Sequence, residues 1–498
     1  GPEVDTQRIL NLHIFHLLQT VSAYSIDMDV GVPPRGLHGE AYRGLIMWDE
    51  LFIFPFLDLR IPDLTRTLLL YRYRRMRKAR TAAREAGYTG VMFPWQSGSN
   101  GREEAQVLHL NPESGRWIPD NSQLQRHINI AVAYNVWKHY AVTGDRDFLS
   151  FYGAEMIVEI ARFWASLAEF DGSRDRYVIN GVMGPDEFHD GYPDREEPGL
   201  DNNAYTNVMV AWIMRRALDV LELLPPDRER SIRENLSLSQ KETEIWRQMS
   251  MRMFVPFHEN GVISQFEGYD DLEEFDWEAH RDEYGDIHRL DRILEAEGDS
   301  PNRYKVSKQA DALMLFYLLS AEELSEIFGR LGYDLQQDMI TRNVEYYLNR
   351  TSHGSTLSRI VHSWVLARNL RDQSWNLFQE ALRSDVADIQ GGTTHEGIHL
   401  GAMAGTVDLI QRCYTGLEVR GGVLRFNPHL PEELDEITFS IRYRSHWLNL
   451  KINHRELVIG SRKHDVPPVV VGVPGDTREL EPGEVIRFQL ENRNSDNV

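Results

Sequence analysis

Apolar residues recur at three- and four-residue steps from the start of this chain to about residue 416, after which the period falls to two. The first spacing gathers the apolar side chains of a helix on one face and the second does the same for a strand. The chain therefore has to fold as a long helical part followed by a short β part. Helices are read at residues 9–21, 49–59, 64–76, 128–141, 154–167 and 208–224, and again at 308–319, 321–331, 339–348, 357–370, 374–384 and 399–416. They come in pairs joined by short polar turns. An open solenoid of such pairs would repeat in sequence about every 30–45 residues, and the absence of such a period weakens that reading. A closed double ring of helices with a pocket at one end is the reading that remains. Longer connections at 91–125, 182–200, 254–307 and 385–396 are rich in Trp, Tyr and Asp. Segments longer than about 12–15 residues inside a compact domain are usually functional or disordered, and these read as ordered cleft walls. Beyond residue 416, short alternating runs at 423–426, 437–443, 448–453, 456–459 and 485–490 with Gly and Pro between them predict a small antiparallel β domain. The division is placed at 1–416 and 417–498.

At 498 residues the chain is far longer than a single core usually grows, so two domains or one large repeat-like barrel are expected. A formal net charge of -22 argues against binding a phosphodiester backbone, which needs clustered Lys and Arg. The one basic run, from Arg72 to Arg80, follows Leu68, Leu69 and Leu70 and reads as the solvated face of a helix. A single cysteine, Cys413, excludes an intrachain disulfide and fits a reducing compartment, with a buried structural thiol as the expectation. No Cys or His cluster has zinc spacing, and no apolar run reaches the roughly 20 residues that span a bilayer. Neither a nucleic acid, a membrane, a metal nor an organic cofactor is expected, and a cytoplasmic location is. The opening Gly1-Pro2 reads as a protease-cleavage scar, so the natural protein is expected to begin earlier.

Chemistry-bearing residues concentrate on the connections and helix starts. Gly184-Pro185-Asp186-Glu187-Phe188-His189 forms a turn with one prominent carboxyl, Glu187, and is followed by Asp201-Asn202-Asn203 and Tyr205 opening the next helix. Such a turn suits a protonated carboxyl beside a sugar oxygen; equally, Asp186 and Glu187 are ordinary turn acids and Asp201 a helix cap. Glu40 to Gly44 leads to Trp48 and Asp49, an aromatic ring beside an acid, which matches how sugars are stacked and hydrogen-bonded or else a core Trp with a helix-start carboxylate. Trp95, Glu103, Glu104 and Trp117 repeat the mixture more weakly. Lys308-Gln309-Ala310-Asp311 offers ammonium and amide donors at a helix start. Two hydroxyl-, Gly- and His-rich helix starts complete the set: His353-Gly354-Ser355-Thr356, and Gly391-Gly392 with His395, Glu396 and His399. Free N–H groups at helix N-termini favour an anion, so these read as a phosphate site or as a site for a water held by Glu396.

Taken in order, Gly-Glu-Ala-Tyr-Arg-Gly with Trp48-Asp49, Gly-Pro-Asp-Glu-Phe-His with Asp-Asn-Asn-Ala-Tyr-Thr-Asn, Lys-Gln-Ala-Asp, His-Gly-Ser-Thr-Leu-Ser and Glu-Gly-Ile-His-Leu-Gly resemble glycoside hydrolase family 65, from residue 8 to about 460. That family consists mostly of inverting phosphorylases of α-glucosides, with some hydrolases. The resemblance implies a mainly α fold, an (α/α)6 barrel followed by a small β-sandwich. It also implies Glu187 as general acid and Trp48, Asp49, Lys308 and Gln309 on the glucosyl unit. His353, Ser355, Thr356, His399 and the Gly391-Gly392 backbone would hold inorganic phosphate as nucleophile and co-substrate. The alternative it leaves open is an inverting hydrolase with Glu396 as base. Trp95, Glu104 and Trp117 are expected toward the second sugar, and a homodimer is expected. Family members normally carry a β-sandwich and a helical linker before the barrel, whereas this sequence starts at about the first barrel helix.

Overall fold

The computed structural model describes residues 2–335 and 338–490, with side chains from residue 5 onward. Twelve of the described helices form the body: α1 (Pro2–Thr20), α2 (Glu50–Asp58), α3 (Pro62–Arg74), α4 (Ile128–Thr143), α5 (Ala154–Leu167), α6 (Ala204–Leu223), α7 (Gln240–Arg252), α8 (Met314–Leu318), α9 (Ala321–Leu331), α10 (Thr356–Leu366), α11 (Arg371–Arg383) and α12 (Leu400–Asp408). The even-numbered helices pack side by side in chain order, and α12 returns to α2, which closes an inner ring of six. The odd-numbered helices lie outside, and α1 packs on α12 to seal the outer layer. This is the (α/α)6 barrel expected from the sequence.

The inner helices read as apolar nearly all round because they are covered on both sides. Every residue of α12 is buried, as are eight of the nine residues of α2. Close approach of α12 to α10 depends on Gly405, where a Cβ would lie 2.7 Å from a side-chain carbon of Ile360. All six inner helices run in the same direction, so their N-terminal ends, with Asp49, Asn203, Asp311, Thr356 and His399, open at one end of the barrel. Local caps set these starts. The Asn203 side chain accepts from Thr206 N, and the Ser355 hydroxyl accepts from Leu357 N. The cap of α6 is thus Asn203 rather than Asp201.

Two assignments from periodicity change. Helix α7 escapes the apolar pattern because only Thr243, Trp246, Met249 and Ser250 are buried along it; its signal is the Ser239/Glu242 capping box. The helix Met339–Leu348, which periodicity does detect, lies outside the ring of twelve. The connection at 254–307 contains two further helices, Trp277–Tyr284 and Leu290–Glu297. The basic run also departs from a solvated face. Arg72 is fully buried and bonded to Glu50 at 3.0 Å, while Arg80 pairs with Glu155 and Glu159, because α3 and its continuation Met76–Glu85 pack against neighbouring helices. Cys413 is only partly buried, its thiol directed at the Trp364 carbonyl.

A hairpin of β1 (Leu108–Leu110) and β2 (Trp117–Pro119) projects beside the open end. The C-terminal part is a sandwich of two four-stranded sheets. One has the order β9 (Asp476–Leu480), β8 (Val469–Val473), β4 (Val423–Arg425), β3 (Glu418–Arg420). The other has β10 (Val485–Gln489), β7 (Glu456–Ser461), β6 (His446–Asn453), β5 (Glu436–Tyr443). Pairing is antiparallel except between β4 and β8, where Leu424 aligns with Val471 in parallel. The sandwich is tied to the barrel at the closed end through Arg442 N to Leu59 O, 2.8 Å, and Arg444 N to Val142 O, 3.1 Å. No helix among the described residues is long and apolar enough to cross a membrane.

Candidate active site

The acid-bearing turn at 184–189 is held from below by a buried polar network. Asp186 accepts from Lys308 N at 2.7 Å, from Gln265 Nε2 at 3.0 Å, and from His189 Nδ1 at 2.6 Å. The opposite nitrogen of His189 faces the Tyr304 carbonyl at 3.0 Å. Asp311, the last residue of Lys-Gln-Ala-Asp, accepts from Asn203 Nδ2 at 2.9 Å and from Asp186 N at 3.2 Å. Burial and the neighbouring Asp186 push the Asp311 carboxyl well above the usual carboxylate range, which favours its neutral form. Gln309 donates to the Pro185 carbonyl at 2.6 Å. A Cβ at Gly184 would lie 2.1 Å from Asp311 Oδ2, so only glycine lets the turn sit on this network.

These supports leave Glu187 half-buried and pointing at the opening, with a left-handed backbone at φ 68°. Its Oε2 receives the Lys308 ammonium at 2.5 Å. Burial works to lower the Lys308 pKa, but Glu187 and Asp291 more than offset it and leave the ammonium above its ordinary value. Tyr42, Arg43, Asn202 and His353 also have positive φ, and all sit on the loops of this end. Non-glycine residues held in this region cost about 1–3 kcal/mol each and cluster where geometry matters for function.

Three inner-helix starts meet at Asp49, Thr356 and His399. Asp49 Oδ1 accepts from His399 Nε2 at 2.9 Å, and His399 Nδ1 touches the Thr356 hydroxyl. His399 N donates to Asp385 Oδ2 at 2.8 Å, which fixes the residue at the start of α12. Ser355 caps α10 beside Thr356. His353 bonds through Nδ1 to the Ser358 hydroxyl at 2.8 Å. Burial, with His362, Arg359 and His288 nearby, holds His353 well below the ordinary histidine value, so it is neutral and offers an anion no charge.

The Gly391 and Gly392 amides do not face this centre freely. Gly391 N donates to the Asp388 carbonyl at 2.9 Å and Gly392 N to Asp388 Oδ2 at 2.7 Å. The Asp388 carboxyl is lowered by the N–H groups of Thr394 and Gly392. The turn is thus closed on its own aspartate, a capping role that sequence spacing does not distinguish from anion binding.

Trp48 and Trp95 belong to one buried cluster. Trp48 stands edge-on to His127 at 4.9 Å and lies 6.0 Å from Trp95. Burial lowers His127 to about 3, so its ring is neutral within this cluster. The Trp95 indole is enclosed and unavailable to a second sugar. Glu104 pairs with Arg102 at 3.2 Å, and Trp117 is 65% exposed on β2. The structure thus joins Asp49, His399 and Thr356 in one bonded group and Glu187 with Lys308 in another, with Gly354 N donating to Lys308 O at 2.9 Å between them, while Trp95 lies in the buried cluster.

A cavity of about 760 Å³ is lined by His38, Glu40, Tyr42, Arg43, His395 and Glu396, and its lining includes none of Asp49, Glu187, Lys308, Thr356 and His399. Glu396 is exposed and its carboxylate has no hydrogen bond among the described residues. A larger cavity of about 1350 Å³ lies toward the sandwich, among Tyr134, Trp364 and Glu418, and contains none of the acid-turn residues. Chemistry rather than volume locates the site. Sequence reading missed Arg289 and Asp291, a pair at 2.6 Å within electrostatic reach of Glu187, because 254–307 carries no readable period. It also missed Gln265 and the role of Asp186 as the hub beneath the acid.

Comparison with known proteins identifies the family. The description "Glycosyl hydrolase family 65 central catalytic domain" matches residues 11–408, and "Glycosyl hydrolase family 65, C-terminal domain" matches 417–480. An uncharacterized glycosyl hydrolase of Mycobacterium tuberculosis is 55% identical over 96% of this chain and 36% of its own length. The trehalose 6-phosphate phosphorylase of Lactococcus lactis is 38% identical over 98% of this chain and 61% of its own. A kojibiose phosphorylase of Caldanaerobacter subterraneus is 34% identical over 91% and 56% respectively. The chain thus spans from about a third to three fifths of the length of these relatives. A solved kojibiose phosphorylase candidate from the human microbiome shares the fold with a TM-score of 0.80 at 24% identity, covering 99% of this chain and 66% of that one.

Proposed function

The chain belongs to glycosyl hydrolase family 65, and from that premise we propose that it carries the catalytic site of an inverting phosphorylase, which converts an α-linked glucose disaccharide and inorganic phosphate into β-glucose 1-phosphate and a released sugar. Glu187 donates the proton to the glycosidic oxygen. To do so it must carry one, so Lys308 has to pass its hydrogen bond from Oε2 to the sugar when the glucosyl unit enters. Asp49 then presents its second carboxylate oxygen, which has no hydrogen-bond partner among the described residues, to a glucosyl hydroxyl.

The observation that carries the reading is the cluster of donors at the starts of α10 and α12. Two hydroxyls, Ser355 and Thr356, and one imidazole, His399, converge at the N-termini of α10 and α12. Donors at helix starts suit an oxyanion, and phosphate supplies its own nucleophilic oxygen, so no enzymatic base is needed. Attack from this face with protonation from the other inverts the anomeric centre. The relatives named as phosphorylases support the same chemistry, and the reading invokes no metal or organic cofactor. The α-glucoside and phosphate are the small molecules it takes.

A second reading, an inverting hydrolase, rests on Glu396, which stands exposed in the wall of the 760 Å³ cavity with its carboxylate free of hydrogen bonds among the described residues. Incubating trehalose, trehalose 6-phosphate, kojibiose, nigerose and maltose with and without phosphate separates the two. Glucose 1-phosphate formed only when phosphate is present supports the phosphorylase. Free glucose released at one rate in both conditions refutes it and makes Glu396 the base.

A further inference from the structure

Asp49 is read above as a ligand of the sugar, yet its one side-chain hydrogen bond among the described residues runs the other way, to His399. The carboxylate is 4% exposed and the imidazole 12%, so the pair is shielded from competing water. A carboxylate on one imidazole nitrogen fixes the ring's orientation and decides which nitrogen faces the next group. Here Nε2–H donates to Asp49, and Nδ1 is left facing the Thr356 hydroxyl.

The three residues come from three inner helices: Asp49 precedes α2, Thr356 begins α10 and His399 precedes α12. Their order makes a chain from the glucosyl side of the pocket to the anion side. Thr356 donates to an anion only if its proton is not spent on Nδ1, that is, when the imidazole is the donor between them. With Nε2–H already given to Asp49, that arrangement needs a proton on Nδ1 as well, and an ionised carboxylate on the far nitrogen favours the doubly protonated ring, in which both nitrogens donate. The other groups facing His399 are Asp385, which takes its main-chain N–H, and Arg35, which donates to the adjacent Gly397 carbonyl at 2.9 Å. Gly401 leaves room for the Asp49 side chain, since a Cβ there would come within 3.0 Å of Oδ1.

We propose that Asp49 is a positioning residue for the phosphate: acting through His399, it directs the Thr356 hydroxyl toward the anion while its second oxygen serves the glucosyl unit. This rests on the phosphorylase reading. The test is initial-rate kinetics of phosphorolysis with the full chain, varying phosphate and glucoside separately, for Asp49→Asn, His399→Gln and the double variant. Asp49→Asn keeps the shape and removes the charge, and charge-assisted hydrogen bonds are about twice as strong as neutral ones, so a rise of about tenfold in the phosphate KM is expected. The glucoside KM rises too, whereas His399→Gln raises mainly the phosphate KM. If Asp49 acts through His399, the double variant has a phosphate KM no higher than His399→Gln alone.

A phosphate KM within twofold of wild type in Asp49→Asn, with only the glucoside KM raised, overturns the proposal, and so do additive effects in the double variant. Should Asp49→Asn not fold, Thr356→Val combined with His399→Gln tests the same chain from its other end, and additivity there overturns the proposal equally. A wild type that forms no glucose 1-phosphate overturns the phosphorylase reading itself, and this inference with it. A phosphate-dependent wild type with an unresponsive Asp49→Asn overturns this inference alone.

Discussion

Replacing Asp311 with Asn tests whether the bed of the acid turn is built on a neutral carboxyl. In the folded protein Asp311 is buried beside Asp186 and held well above the ordinary carboxylate range. In the unfolded chain it titrates near 3.9. Folding therefore takes up a proton at any pH between these values. The sign follows from linkage: because the folded state binds more protons, stability is full below about pH 3.9 and falls as pH rises, by about 1.4 kcal/mol per pH unit, until the folded group ionises. Asparagine has nearly the same shape but only one acceptor oxygen, so it loses part of the bonding from Asn203 Nδ2 and Asp186 N, a cost that does not vary with pH, and it carries no such dependence. The free-energy difference between Asp311→Asn and wild type should accordingly move in favour of the variant by up to about 1.4 kcal/mol for each pH unit between 5 and 7. Urea unfolding followed by tryptophan fluorescence at pH 5, 6 and 7 reads this directly. Parallel stability profiles for the two proteins would refute the neutral-acid argument. A profile moving in the opposite direction would show that the carboxylate is the form the network holds.

The acid itself should be nearly indispensable: Glu187→Gln is expected to lower kcat by about 10²–10⁴-fold, the range that general acid catalysis supplies, with little change in melting temperature. Glu396→Gln should leave phosphorolysis within a few-fold of wild type, and loss of turnover comparable to that of Glu187→Gln would favour the hydrolase. Arg72→Ala leaves the buried Glu50 carboxylate without its partner and should cost about 3–5 kcal/mol in a urea melt, most of it recovered in Arg72→Met/Glu50→Leu. Gly184→Ala forces a Cβ into Asp311 and Asn203, so kcat should fall sharply while circular dichroism keeps its helical signal; an unaffected kcat would show that the turn adapts.

Much of the architecture is legible in the sequence because it depends on period. The step of three and four in residues 49–59, 128–141 and 399–416 is a local property, set by which side chains must leave water, and it announces helices that the fold then uses for its inner ring. Helix α7 shows the limit, since a helix with four buried side chains needs little apolar pattern. The VVVGV strand β8 is a second case, as an uninterrupted apolar run has no alternation to detect. The order of the motifs along the chain also suffices to single out Glu187, Lys308, Thr356 and His399.

The partner of each polar group is a tertiary outcome. Asp49 and His399 are 350 residues apart, and no local rule joins them; closure of the ring by α12 against α2 does. Tertiary packing likewise spends Gln309 on the Pro185 carbonyl, 124 residues away, and sinks Trp95 into the core. Gly391 and Gly392 differ in kind, since Asp388 claims their amides within a single turn, but which atom it would reach is a matter of three-dimensional path rather than spacing. Sequence determines which side chains are available and which faces must be buried. Hydrogen-bond assignment is a competition among all groups that the fold brings within about 3 Å, and that competition is settled only once the chain has closed.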